Sequence, residues 1–116
     1  MRMSEKTPQS DRSPAGLDEL DGLLQHRSRL GACVLLSGAD ALSFSRLKLL
    51  LQETDGNLGA QLRKLEDAGY VAVKKEFVDR KPVTWYSLTS LGKKSLRSHL
   101  AAMDALVRSA NGGRPR

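Results

Sequence analysis

At Gly69 the hydrophobic period of this sequence changes. Before it, Leu58, Leu62 and Leu65 recur at i, i+4 and i+7, which puts them on one face of a helix. Thr54 stands where an N-cap belongs. Asp55 follows in the first turn, where a negative charge suits the helix dipole, and Gly69 closes the segment. After Gly69, Val71, Val73, Lys75 and Phe77 alternate with Ala72, Lys74 and Glu76, a strand pattern. "VDRKPV" interrupts it with turn chemistry, and "TWYSLT" resumes with β-branched and aromatic residues. The spacing predicts a hairpin with Arg80 and Lys81 at a basic tip. Pro82 fits at the tip or an edge, since it cannot donate to a ladder.

Upstream, Leu17, Leu20 and Leu24, then Leu30, Val34 and Leu35, recur at helical spacing. Gly22 and "HRSR" divide this stretch into a short helix and a longer one. "LSFSRLKLLLQ" follows, with Ser43 as cap and Leu47, Leu50 and Leu51 inward. A short helix, a tight link and a second capped helix make a helix-turn-helix unit. Downstream, Leu91, Leu96, Leu100, Met103, Leu106 and Val107 form a long apolar stripe. A helix of that length beside a small core leaves part of its stripe exposed, and exposed apolar stripes mark partner surfaces. Leu96, Leu100, Met103, Leu106 and Val107, with Leu20 and Leu24 from the first helix, are the expected homodimer interface.

The 116 residues allow one small domain with tails. Residues 1–15, polar and with Pro8 and Pro14, read as a disordered lead-in. Residues 16–110 read as the domain, and 111–116 ("NGGRPR") as a flexible basic tail. The net charge of +6 and pI near 9.8 favour polyanionic partners. Cys33 is the one cysteine, so no internal disulfide or multi-cysteine metal site can form. It sits in "LGACVLLSG" and reads as a buried filler. His26 and His99 have no acidic or cysteine neighbours at metal-ligand spacing, and read as surface or interface residues. No metal or cofactor is expected. No run is long enough to span a bilayer, and the N-terminus lacks a secretion signal's apolar core. The reading is therefore a soluble, cytoplasmic chain without membrane association. There is no phosphate loop, no paired acid/base set and no partnered nucleophile, so an enzyme is not expected.

The order helix, helix, capped helix, hairpin, helix is that of a winged helix-turn-helix, a mainly α (α+β) fold. Here "TDGNL", "LRKLEDAGYV", the "DRKP" turn and "WYSLTSLGKK" resemble the small bacterial winged-helix transcriptional regulators related to the MarR and ArsR groups. The resemblance spans roughly residues 27–106. It implies a homodimeric DNA-binding repressor, with the helix from Thr54 in the major groove and the hairpin as a wing with a long C-terminal dimerisation helix behind. Two recognition helices would then meet grooves about 34–36 Å apart. A small-molecule effector stays open, because the chain is short for an effector pocket.

Within that frame the outward arc of the helix centres on Gly56, Ala60, Arg63 and Lys64, flanked by Asn57 and Gln61. Small residues allow close approach, and an amide matches the edge of adenine. Asn57 and Gln61 are thus the expected base readers. Thr54, Ser43, Arg46, Lys64, Arg80 and Lys81 are the expected phosphate contacts. Taken singly, an outward amide on a helix is ordinarily just solvated, Thr54 is ordinarily just a cap, and Arg63 can pair with Glu66 or Asp67. Trp85 reads as packing at the base of the wing. The rival reading is a winged-helix protein-interaction module that does not bind DNA.

Overall fold

The structure, a computed structural model, describes residues 13–112. Of the lead-in expected over 1–15 and the tail expected over 111–116, residues 1–12 and 113–116 lie outside the described residues. The chain divides into two units. One is residues 21–97; the other combines the described parts of 1–20 and 98–116.

The first unit opens with a 3-10 turn, Gly22–Leu24, capped by Asp21, whose side chain accepts from the Leu23 N–H. Then come α1 (Arg27–Ser37), β1 (Leu42–Ser43), α2 (Phe44–Leu51), α3 (Asp55–Asp67), β2 (Val71–Val78) and β3 (Lys81–Leu88). The start of α4 (Ser90–Ala110) completes it. Leu24, Ala32, Cys33, Leu36, Leu47, Leu51, Leu58, Leu62, Leu65, Val71, Leu88 and Leu96 form one buried cluster. Each fully buried leucine contributes on the order of 1.5–3 kcal/mol, which makes the stripe on α3 the main anchor of that helix. At Gly31 an added Cβ would lie 2.6 Å from Leu51 Cδ2, so the end of the Leu51 side chain packs into the space the missing Cβ leaves. Cys33 is fully buried, and desolvation, with Asp21 adding to it, pushes its thiol up to about 11. It is a packing residue, inert as a nucleophile at neutral pH.

The caps fall where the sequence placed them. Ser43 accepts from the Arg46 N–H at 3.1 Å, and Thr54 accepts from the Asn57 N–H at 3.1 Å. Between α2 and α3, Gln52 takes a left-handed φ of 55°, the sharp link of the helix-turn-helix. Gly69 has φ +82°, the left-handed residue just past α3.

The sheet has three strands where two were expected, in the order β1-β3-β2, all antiparallel. The added strand pairs Leu42 with Tyr86 and Ser43 with Trp85. Two residues cannot show an alternation, so the sequence pattern gave no sign of it. The hairpin tip also differs. Val78 pairs with Lys81, leaving Asp79 and Arg80 alone in the turn with φ of 51° and 68°. Two consecutive positive φ values are the mark of a type I′ turn, whose twist matches the strands. Lys81 and Pro82 thus belong to β3. Because Arg80 carries a Cβ at a left-handed position, Arg80→Gly is expected to stabilise the hairpin by about 0.5–1 kcal/mol. That is relief of about 1–2 kcal/mol less glycine's chain entropy of about 0.5–1. A raised urea midpoint with unchanged slope checks it.

The second unit packs a turn at residues 15–19 on the distal part of α4. A Cβ at Gly16 (φ +95°) would land on the Ala102 carbonyl and 3.0 Å from Ala105 Cβ. Leu17 and Leu20 are therefore in and beside a turn, not in the expected helix, because Gly16 and Gly22 bracket a stretch too short to propagate one. Leu100 and Val107 remain exposed at 42% and 58%, and Leu20, Met103 and Leu106 are half-buried. Leu24 and Leu96 correct the expected interface. Both are buried in the chain's own core and are not open to a partner. His99 is also buried rather than at the surface.

Candidate nucleic-acid interface

With Leu58, Leu62 and Leu65 inward, α3 leaves Asp55, Gly56, Ala60, Arg63, Lys64, Glu66 and Asp67 exposed. Gly56, Gly59, Ala60, Arg63 and Lys64 form one wall of an open groove of about 740 Å3; Val73, Lys75 and Tyr86 of the sheet form the other. The helix side of that groove is paved with small residues along its middle, with Arg63 and Lys64 beside them and the carboxylates of Asp55, Glu66 and Asp67 at its ends. No ion pair among the described residues engages Arg63, Lys64, Lys75, Arg80, Lys81 or Arg46. Lys48, by contrast, is held 2.9 Å from Asp55, which mutes the negative charge at the start of α3.

Gln61 departs from the expectation. It is 9% exposed, and Arg29 Nη1 donates to its Oε1. Its own Nε2 donates to Asn57 Oδ1 at 3.4 Å. Arg29 is braced in turn by a 2.6 Å bond from Nε to the Leu23 carbonyl. At 100° per residue Gln61 lies only about 60° from the centre of the leucine stripe, and α1 crosses that flank. Gln61 is thus a bracket between α1 and α3, not an outward base reader. Asn57 is exposed, but its Nδ2 donates to Glu53 Oε1 at 2.5 Å. Its amide oriented by Glu53 and Gln61 is held rather than free.

Glu53, which the sequence reading passed over, is the hub of this network. It also accepts from Ser28 Oγ and pairs with Arg27 at 3.1 Å. The Ser28 and Asn57 hydrogen bonds hold its carboxyl below the usual 4.5, with Arg27 adding to the effect. A depressed folded pKa means stability present above 4.5 and lost as pH falls through the lowered value. Glu53→Gln is therefore expected to flatten the acid limb of the stability curve, read by thermal unfolding between pH 3 and 6. Its position in the helix-turn-helix link was visible in the sequence. Its partners were not, because Ser28 lies 25 residues away.

Thr54 and Ser43 spend their hydroxyl acceptors on their caps, and Arg46 lies exposed on the first turn of α2. Arg80 and Lys81 stand exposed at the end of the hairpin. Trp85 is half-buried in β3, opposite Lys74 and Ser43. Among the described residues no three histidine, cysteine or acidic side chains gather as a metal site, and no helix is long and apolar enough to cross a membrane.

A family model described as a winged helix DNA-binding domain matches residues 28–107. An uncharacterized protein of Methanocaldococcus jannaschii is 33% identical over 72 residues, which is 62% of this chain and 78% of that protein. Among solved structures, a transcriptional regulator homologue from Pyrococcus horikoshii is 30% identical, with a TM-score of 0.71 over 76% of this chain and 87% of its own. YusO of Bacillus subtilis shares the fold at 18% identity, with a TM-score of 0.73 over 89% of this chain and 72% of its own.

Proposed function

Because the chain belongs to the winged helix DNA-binding domain family, we propose that it is a sequence-specific regulator of transcription, binding double-stranded DNA as a homodimeric repressor. The observation that carries this reading is the small-residue arc of α3, with Arg63 and Lys64 beside it and Lys75 across an open groove whose ends also carry Asp55, Glu66 and Asp67, the first of them paired with Lys48. Gly56 and Ala60 let the helix backbone approach a groove floor, and the exposed cations at its flank meet the phosphates. With Gln61 withdrawn and the Asn57 amide held by Glu53 and Gln61, base contact falls to Lys64 and Arg63. An arginine or lysine matches guanine O6 and N7, so the expected half-site is richer in G·C than an amide code would be. Arg46, Arg80 and Lys81 supply backbone charge contacts and salt dependence. Occupancy of a promoter by this surface would exclude other factors, which is the basis for proposing repression.

Selection of bound fragments from a random DNA pool tests this. The expected product is an inverted repeat with half-sites about 10–10.5 bp apart, centre to centre. A protein-interaction module would enrich no sequence. The exposed apolar face of distal α4 supports dimerisation through Leu100 and Val107. Leu100→Glu with Val107→Glu is expected to halve the mass seen by light scattering and to weaken operator binding sharply. An unchanged mass would move the interface elsewhere.

A further inference from the structure

The most exposed large hydrophobic side chain among the described residues is Phe77, at 74%. An aromatic ring of that size in water needs an explanation, and its place in the register supplies one. Residues directly opposite in an antiparallel pair share a face. One face of the wing therefore carries Val73 with Tyr86, Lys75 with Thr84, and Phe77 with Pro82. Val73, Lys75 and Tyr86 line the groove beside α3. Phe77 continues that same face outward, roughly 13 Å beyond Val73 at about 3.3 Å per residue.

The pairing also fixes the chemistry of the tip. Val78 and Lys81 flank a two-residue turn and make a hydrogen-bonded pair, so Phe77 and Pro82 form the next, non-hydrogen-bonded pair, whose side chains lie closer. The result is an exposed aromatic–proline couple on a rigid hairpin. Lys75 lies on one side of it and Arg80 and Lys81 on the other, all exposed. An apolar pair set among cations suits a polyanion with apolar surface between its charges. Base steps flanked by phosphates are such a surface. A protein partner would call for apolar area spreading from Phe77 on its own face, and there only Pro82 extends it before Lys75 and the charged turn of Asp79 and Arg80; the exposed Val78 lies on the opposite face beside Lys74 and Glu76.

We propose that Phe77, backed by Pro82, is a wedge that enters the DNA minor groove beside the site read by α3, partly unstacks a base step and bends the duplex. This rests on the DNA-binding reading above. Wedges of this kind bend DNA by about 20–90°. Flexible pyrimidine–purine steps unstack most easily, so a preference for TA or CA is expected at a position flanking each half-site.

The test uses the full chain and its selected DNA fragment, end-labelled for energy transfer, with 2-aminopurine at the flanking step. Wild-type protein is expected to shorten the end-to-end distance and brighten 2-aminopurine. Phe77→Ala is expected to abolish both signals and weaken binding about tenfold, or about 1.4 kcal/mol. Phe77→Leu is expected to keep most of the bend. The thermal midpoint of Phe77→Ala should match wild type, since the ring is exposed. Straight DNA in a tight wild-type complex, or a bend that survives Phe77→Ala, overturns the wedge and leaves the regulator reading intact. A Phe77→Ala protein that loses its dimeric mass overturns it too, assigning the ring to a contact between copies. Failure of the wild type to bind any selected DNA removes both readings.

Discussion

Gly92→Ala is expected to lower the free energy of unfolding by about 2 kcal/mol, an overpacking cost of about 3 kcal/mol less about 1 kcal/mol of helix propensity. A Cβ at Gly92 would fall on the Tyr70 carbonyl oxygen, 3.0 Å from the carbonyl carbon and 2.6 Å from Leu88 Cδ2. Neither neighbour is free to yield. The Tyr70 carbonyl accepts the Thr89 N–H at 3.0 Å and the Thr89 hydroxyl at 3.2 Å. The one hydroxyl proton is shared with the nearer Gly69 carbonyl at 2.6 Å, and the hydroxyl oxygen accepts from the Gly92 N–H at 3.0 Å. Leu88 lies in the core cluster. The end of α3, the start of β2 and the start of α4 thus meet at one point, and a methyl group there separates all three. Helix propensity pulls the other way by about 1 kcal/mol and does not reverse the sign. For a domain of this size the net loss lowers Tm by roughly 8–16 °C. A fall in the denaturant midpoint with an unchanged slope checks it; a midpoint within error of wild type would mean α4 does not start so close to Tyr70.

Ala60→Glu is expected to leave the fold intact and to weaken operator binding by at least about a hundredfold, some 2.7 kcal/mol. Ala60 is exposed on the arc of α3 that lines the groove, where substitutions change stability by roughly 0.5 kcal/mol or less. Three effects then act in one direction on binding. The longer side chain keeps the backbone off the groove floor. Its carboxylate meets phosphates and base acceptors of like charge. It also sits four residues before Lys64, the favourable orientation for an ion pair on a helix, and so occupies a cation that the proposed reading gives to DNA. Each protomer of a dimer carries the change. Electrophoretic shift on specific and random DNA, with circular dichroism for the fold, measures it. Wild-type affinity with the change in place would take α3 out of the interface.

Comparing the two substitutions shows what the sequence made legible. The leucine stripe, the caps at Ser43 and Thr54 and the left-handed Gly69 are local signals, each decided within one turn of chain. They were sufficient for the helix-turn-helix, the wing and the arc around Ala60. What was missed depends on distant neighbours. Gln61 lies on a boundary angle where either environment is open, and Arg29, 32 residues away, decides it. Leu96 and Leu100 share one periodic stripe, yet Leu96 joins the core while Leu100 stays exposed. Periodicity cannot separate a leucine packed on its own chain from one left exposed. Gly92 reads as an unremarkable helix residue until the Tyr70 carbonyl is placed beside it.

Methylation interference on the selected fragment tests the central geometry most directly, because it reports both grooves at once. If α3 enters the major groove and the hairpin the minor groove, guanine N7 methylation within two half-sites will block binding. Adenine N3 methylation at the flanking positions will block it as well. Binding indifferent to N7 methylation throughout the fragment would contradict the account, since no helix would then be reading the major groove.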